Sequence, residues 1–330
     1  MPFSLHHIAQ AWDLPAPPPP LADQVVAHLV TDSRQVVFPA SSLFFALPGP
    51  RRSGSDFVAA AYQRGVRFFV VDEVPTIAQQ GEPLAWSTHF FVVPDVLKAL
   101  QDLAALHRQQ FDYPVLGITG SNGKTMVKEW LYQLLQADYR IVRSPRSYNS
   151  QIGVPLSVWQ MDAQHNLALL EAGISQTGEM QKLAQVMAPT MGIFTGLGPA
   201  HDAGFNSSEQ KLKEKLQLFA TAKTWVVAAD GLPDFAPPAG VQLFTWGKAE
   251  ASSKTVASIV STISSSTPPT QGSILPATPS HQHLHWLSSR ALDGGQELVL
   301  RFQENEFSIW VPFADEVSAR NALTCLLTLL

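Results

Sequence analysis

The stretch GITGSNGKTMVKEW, residues 117–130, decides how this chain is read. The segment that leads into it, YPVLGIT (113–119), is apolar and predicts a buried strand. The segment that follows Gly123 reads as the start of a helix. A strand, a tight glycine turn and a helix start make a phosphate cradle, because loop N–H groups point inward and the helix N-terminus adds partial positive charge. Gly120 and Gly123 permit close backbone approach, with Ser121 and Asn122 between them. Lys124 is placed to reach the β- and γ-phosphates, and the Thr125 hydroxyl to ligand Mg2+. The general phosphate loop has a glycine where this chain has Ile118, so the pattern here is the shorter T-G-x-x-G-K-T. Read without a ligand, the same residues are a strand-to-helix turn with an exposed lysine. G-K-T between a strand and a helix favours the phosphate loop.

Outward from this loop, the chain has 330 residues, enough for two ordinary domains, and 45% hydrophobic residues, enough for a sizeable core. A formal charge of −5 argues against a nucleic-acid partner. The single cysteine, Cys325, excludes an internal disulfide framework and fits a reducing compartment; a small buried helix residue is the simplest reading of it. The N-terminus, MPFSLHHIAQAWDL, has no basic region followed by an apolar one, and no apolar run reaches the roughly 18 residues of a membrane span. A soluble cytoplasmic protein with no membrane span is expected.

The expected fold class is α/β, in two parts. PAPPPP (15–20) reads as a linker or surface turn. Within 1–95, SLFFAL and VRFFVVD predict strands, and GSDFVAAAYQRG predicts a helix that closes on Gly65. The spacing of VPDVLKALQDLAALHRQQF (93–111) predicts an amphipathic helix, so 96–112 is taken as a helical connector into a second α/β unit, 96–330. In that unit, 262–283 is rich in Ser, Thr and Pro and predicts a loop or insertion. His281, His283 and His285 alternate, as solvated loop residues or, less simply, as a metal site. LVLRFQENEFSIWVPF (298–313) predicts a hairpin that turns at ENE. The chain stops at RNALTCLLTLL, inside an expected helix, which suggests a piece of something longer.

GITGSNGKT resembles the ATP loop of the Mur ligase family, which also includes folylpolyglutamate synthases, enzymes that form an amide bond by activating a carboxylate as an acyl phosphate. RSYNSQIGVPLSVWQM (146–161) resembles the family's N-x-x-x-G-x-P-L segment, with Asn149, Gly153 and Pro155 in place. LALLEAGISQTGEM (167–180) resembles the strand that ends in a magnesium-binding glutamate, here Glu171, and GIFTGLGPAHDAGFNS (192–207) the segment with a histidine ligand, here His201. SSEQKLKEKLQLF (207–219) resembles the helix whose lysine is carbamylated in many members; counting back from Phe219 gives Lys215, with Lys211 and Lys213 as competitors. The resemblance thus implies ATP on 120–125, Mg2+ at Thr125 and Glu171, and a second Mg2+ near His201 and a Lys215 carbamate.

VTDSRQVVFPASSLFFALPGPRRSGSDF (30–57) resembles the uridine-nucleotide domain of the family, which folylpolyglutamate synthases lack. There the resemblance implies that Asp32, Ser33 and Arg34 lie near a UDP group, with Gly49 and Arg51 shaping the next loop. The family's D-G-H-D-F is here Ser53, Gly54, Ser55, Asp56 and Phe57. The implied fold is a small N-terminal uridine-nucleotide domain, 1–95, plus a central P-loop ATPase domain, 96–330, with a mainly parallel sheet. AHDAGF and PFADEVSARNAL are similar to the members that join D-alanyl-D-alanine to UDP-N-acetylmuramoyl-tripeptide in peptidoglycan synthesis, particularly those fused to an alanine racemase; Asn321 would then face the adenine. Asn149 is assigned to the substrate. The family's C-terminal domain has no counterpart in the sequence. Three other readings stay open: a binding module without turnover, a family member that adds a single amino acid, and a general P-loop ATPase.

Overall fold

The computed structural model describes residues 3–49, 53–75, 87–198, 204–230, 232–233, 235–248 and 281–330. The chain divides into two units, Met1–Phe111 with Val158–Asp162, and Asp112–Ser157 with Ala163–Leu330.

In the first unit, β1 (Phe3–Ser4) pairs antiparallel with β2 (Val25–Val26), and α1 (Leu5–Ala11) lies between them in sequence. A four-stranded parallel sheet follows in the order β3 (His28–Val30), β4 (Ser42–Phe45), β5 (Phe68–Val71) and β6 (His89–Val92). β4 and β5 are buried along their whole length, as the continuous apolar runs SLFF and FFVV require. Phe44 and Phe69 pack edge to face and share a core with Val30, Val58 and Val71. GSDFVAAAYQ forms a 3-10 turn, Gly54–Phe57, and then α2, Val58–Gln63; Gly65 follows with a φ of +95°, the left-handed stop expected of it. The amphipathic helix is α3, Val96–Arg108, capped by Asp95; it packs on β4 and β5, so it belongs with this unit.

Among the described residues, the second unit is built on a nine-stranded sheet. In chain order its parts are β7 (Val115–Thr119), α4 (Lys124–Leu135), β8 (Ile141–Arg143), α5 (Gly153–Val158), β9 (Leu167–Glu171), α6 (Glu179–Met187) and β10 (Met191–Phe194). Then come α7 (Ser208–Leu216), β11 (Thr224–Ala228), β12 (Gln242–Lys248), β13 (His281–Leu292), β14 (Gly295–Phe302), β15 (Asn305–Val311) and α8 (Glu316–Leu329). The strand order is β15-β14-β13-β12-β11-β10-β7-β9-β8. Seven strands, β8 to β13 in sheet order, run parallel, and β14 and β15 add an antiparallel edge.

Alternation along β7 explains how both faces are covered. Ile118 joins Val127 and Leu131 of α4 and Ala319, Leu323 and Leu327 of α8 in one core. Gly117 lies on the opposite face, where a Cβ would come within 2.9 Å of Pro189. Its in-register neighbour on β10, Gly192, leaves room for the Phe219 ring, which a Cβ would meet at 2.3 Å. Cys325 is buried in the α4–α8 core, and burial pushes its thiol up to about 12, as a packing residue rather than a nucleophile.

Two expectations change here. Residues 262–280 lie outside the described residues, but 281–283 are not loop: they open β13, in parallel register with β12. Sheet pairing to Leu243–Thr245 overrides the local composition. His281, His283 and His285 therefore share one face of a strand, half-buried, and the Thr245 hydroxyl sits 2.8 Å from His281 Nε2 and 2.5 Å from His283 Nδ1. Burial, reinforced by the neighbouring histidines, pushes His283 down to about 3. The hairpin, by contrast, is where it was expected, but its turn is Gln303–Glu304, so Asn305 and Glu306 already pair with Phe302 and Arg301.

Candidate functional site

The sheet order brings the loop of residues 120–125 to a topological switch point. From β7 the chain crosses to β8 and β9 on one side; from β10 it proceeds to β11, β12 and β13 on the other. Open parallel sheets bind ligands outside the C-terminal ends of strands at such a point. Three segments converge there: the loop after β7, Glu171 at the end of β9, and Thr195–Gly198 after β10.

The loop is held from below. Ser121 N–H donates to Gly196 O at 2.9 Å, and the Thr195 hydroxyl donates to Asn122 O at 2.5 Å. Gly120 has a φ of +146° and Gly123 one of +82°, both left of what a side chain tolerates. A Cβ on Gly120 would meet Thr195 Oγ1 at 2.1 Å, and one on Gly123 would meet Asn321 Oδ1 at 2.3 Å. Gly123 is the N-cap of α4 and supplies no side-chain cap, so the first-turn N–H groups have no intrahelical acceptor and are free to point at an anion. The hydroxyls of Thr119 and Ser121 are buried without a hydrogen-bond partner at the same place.

Three lysines surround this cradle. Lys124 Nζ donates to Gly120 O at 2.9 Å, and buried Lys215 donates to the same carbonyl at 3.3 Å. Lys211, also buried, donates to Gly198 O at 2.5 Å. Burial lowers the pKa of Lys124 against the pull of Glu171. Burial, and then the charges of Lys124 and Lys211, lower Lys215 to about 8. Among the three lysines of α7, Lys213 is exposed, while Lys211 and Lys215 face inward.

Glu171 is fully buried, which a glutamate at the end of an apolar strand need not be. Its Oε2 accepts the Thr125 hydroxyl at 3.0 Å. Its Oε1 faces the Lys128 ammonium at 2.9 Å, as an ion pair rather than a well-directed hydrogen bond. Lys128 is the residue the sequence reading passed over. The one signal for it is its position, four residues after Lys124 on the same helix face. A lysine there resembles any solvated helix residue until its burial is seen.

The remaining candidates are placed as follows. Asn149 lies at the strand end beside Glu171: its carbonyl accepts Gly173 N–H at 2.7 Å. Asn321 of α8 is buried against Gly123 and donates to Met126 Sδ at 3.2 Å. In the first unit, Asp32 caps a 3-10 turn, Ser33–Gln35; it accepts Arg34 N–H at 3.0 Å and grips the Arg34 guanidinium at 2.9 and 2.8 Å. That pairing holds its carboxyl down at about 2. Ser33 is buried beneath the turn, and Gly49 is exposed. His201 and Arg51 lie outside the described residues.

A Thr hydroxyl and a Glu carboxylate are hard oxygen donors. Two adjacent ligands of an octahedral ion at 2.0–2.1 Å stand about 2.9 Å apart, close to the Thr125–Glu171 separation of 3.0 Å. Among the described residues no cluster of three or more His, Cys, Asp or Glu side chains could hold a metal alone. The pair therefore suits an ion that keeps water and phosphate oxygens, as Mg2+ does.

With a glycine-rich loop at the switch point of a mainly parallel sheet, the second unit has the architecture of a nucleotide-binding α/β domain. The chain belongs to the Mur ligase family: the Mur ligase middle domain matches residues 118–329, and the family's domain described as "Mur ligase family, catalytic domain" matches residues 25–108. It is 37% identical over 194 residues to the UDP-N-acetylmuramoyl-tripeptide–D-alanyl-D-alanine ligase of Treponema pallidum, an alignment that covers 57% of this chain and 41% of that protein. The chain spans about two fifths of the length of the curated relatives it matches. Among solved structures, that of MurF from Acinetobacter baumannii superposes with a TM-score of 0.71 at 19% identity, over 99% of this chain and 64% of that one. The MurF ligase of Thermotoga maritima in complex with ADP gives 0.67 at 18% identity, over 92% and 62%. Both share the α/β fold of the two units. Among the described residues no helix is long and apolar enough to cross a membrane.

Proposed function

We propose that this chain supplies the acceptor-binding and ATP-binding units of a cytoplasmic ligase that joins D-alanyl-D-alanine to UDP-N-acetylmuramoyl-tripeptide. The observation that carries the reading is the convergence of Lys124, Lys211 and Lys215 on a glycine cradle beside the Thr125–Glu171 oxygen pair. The relatives' shared activity and the ADP bound in one structural neighbour support it.

Loop N–H groups and Lys124 hold the nucleotide phosphates. Lys124 and Lys215 both rest on Gly120 O in this structure, and a phosphate oxygen is the stronger acceptor for both. Transfer of the γ-phosphoryl to the tripeptide carboxylate gives an acyl phosphate and ADP; the dipeptide amine then forms the amide and phosphate leaves. Charge that develops on the transferred group faces the lysines in a partly buried site, where donors that are already in place do most. Mg2+, when bound through Thr125 and Glu171, neutralises phosphate charge. The depressed pKa of Lys215 supplies the neutral amine that carbamylation needs, which favours it over Lys213 as the modified residue. Asn321, set against Gly123, is assigned to the adenine side, His201 to a second Mg2+ with the Lys215 carbamate, and Asp32, Ser33, Arg34, Gly49, Arg51 and Asn149 to the UDP-peptide.

Calorimetric titration with UDP-N-acetylmuramoyl-tripeptide, then with a non-hydrolysable ATP analogue and Mg2+, tests the reading. Binding of both is expected. Nucleotide binding without the UDP-peptide would move the chain to a different acceptor.

A further inference from the structure

Lys128 has no part in the mechanism above, yet it is fully buried on the helix that carries Lys124 and Thr125. Its ammonium lies 2.9 Å from Glu171 Oε1 and donates to Ser144 O at 2.7 Å and Arg146 O at 2.5 Å. Glu129 Oε1 approaches from the half-exposed side at 3.1 Å. Two backbone carbonyls and two carboxylate oxygens thus surround the ammonium. Ser144 joins the same assembly a second time, because its Oγ accepts Glu171 N–H at 3.1 Å. Helix α4, the segment after β8 and the end of β9 are thereby fixed to one another at the carboxylate.

A buried ion pair is a poor device for stability, since well-packed apolar residues often serve as well or better. What this pair does is select an oxygen. With Oε1 committed to Lys128, only Oε2 is turned to the loop, and it meets the Thr125 hydroxyl. Lys128 and Thr125 stand three residues apart on α4, so one helix face carries both groups that orient the carboxylate. Resting on the phosphate-loop reading, we propose that Lys128 is a positioning residue that clamps Glu171 so that Oε2 alone is presented, beside Thr125, to the divalent cation of a bound nucleotide.

Coulomb's law and positioning predict opposite signs, which makes the proposal testable. Loss of a cation beside the carboxylate should tighten metal binding if charge alone matters. Loss of the clamp should weaken it, by roughly 10-fold or more as for other outer-shell partners. The test is Mn2+ affinity, read by electron paramagnetic resonance on the 330-residue chain saturated with ADP, beside metal-free ADP affinity and the melting temperature. For Lys128→Met we expect about 10-fold weaker Mn2+ binding with metal-free ADP affinity unchanged. In a Glu171→Gln background the same change should cost no further Mn2+ affinity. If Lys128→Met does not fold, Lys128→Arg serves, because a planar guanidinium cannot reproduce the three-way ammonium contacts; a loss of Mn2+ affinity at constant ADP affinity is again expected. Unchanged or tighter Mn2+ binding in the variant that folds, with a lowered melting temperature, would mean a structural role only and overturn the proposal. If the wild-type ADP complex binds no Mn2+, the metal reading falls together with the role of Lys128; if wild-type binds Mn2+ and the variant binds it equally, only the role of Lys128 falls.

Discussion

Two charged clusters carry the functional signal of this chain, and they are built in opposite ways. In the second unit, Lys128 and Glu171 are fully buried and Lys211 and Lys215 nearly so, each ammonium held by backbone carbonyls or a carboxylate. In the first unit, Asp32 and Arg34 satisfy each other at the surface, with the arginine side chain 82% exposed. Burying charge is costly unless every group is paired, so the first arrangement persists only where fixed charge is needed. An exposed pair costs almost nothing and contributes little, so its presence says little about what it meets. The candidate phosphate site is therefore argued from geometry, and the candidate acceptor site from resemblance.

Substitutions can break or sharpen that contrast. The largest effect is expected for Glu171→Ala, which leaves Lys128 buried without its carboxylate; urea unfolding should show a loss of about 3–5 kcal/mol. A loss below 1 kcal/mol would mean that the pair relaxes toward solvent. Next comes pH. Lys215 releases its proton near 8 in the folded chain, against 10.5 for an ordinary lysine. Between those values the unfolded chain binds more protons, so stability rises with pH. Relative to Lys215→Met, the wild-type chain should gain about 3 kcal/mol from pH 8 to 10.5 in carbonate-free buffer, with the deficit fully present below 8. Parallel profiles would contradict the buried charge. Gly123→Ala should then cost about 1–3 kcal/mol in unfolding, from a positive φ and a Cβ that lands on Asn321. Smallest of all, Asp32→Asn should cost at most about 1 kcal/mol at pH 7, because solvent screens the pair with the exposed arginine. The Asp32 carboxyl titrates at about 2, so what it contributes is present above the ordinary value of 3.8 and is lost only as pH falls toward 2. A shift as large as that of Glu171→Ala would erase the contrast between the two clusters.

What the sequence made legible follows the same division. The loop was readable because glycines at 120 and 123 and G-K-T between strand and helix leave few other uses. The apolar runs of β4 and β5 marked strands, and that of β7 a buried strand. The start of β13 was not readable: His281–His283 pair with β12, a contact made across the sheet that local composition does not encode. Lys128 was missed for a related reason. Helical spacing says which face a lysine shares, but only the position of β9 says that this face meets a buried carboxylate. The three lysines of α7 were ambiguous by counting and separate by burial, with Lys213 outside and Lys211 and Lys215 within.

The central claim is that residues 120–125 hold nucleotide phosphates, and calorimetry of ADP with the wild-type chain, Lys124→Ala and Asp32→Asn tests it directly. The wild-type and Asp32→Asn chains should bind alike, and Lys124→Ala should lose about 3 kcal/mol, roughly a hundred-fold in Kd, with its melting temperature kept. Equal binding by the wild-type and Lys124→Ala chains would contradict the phosphate loop.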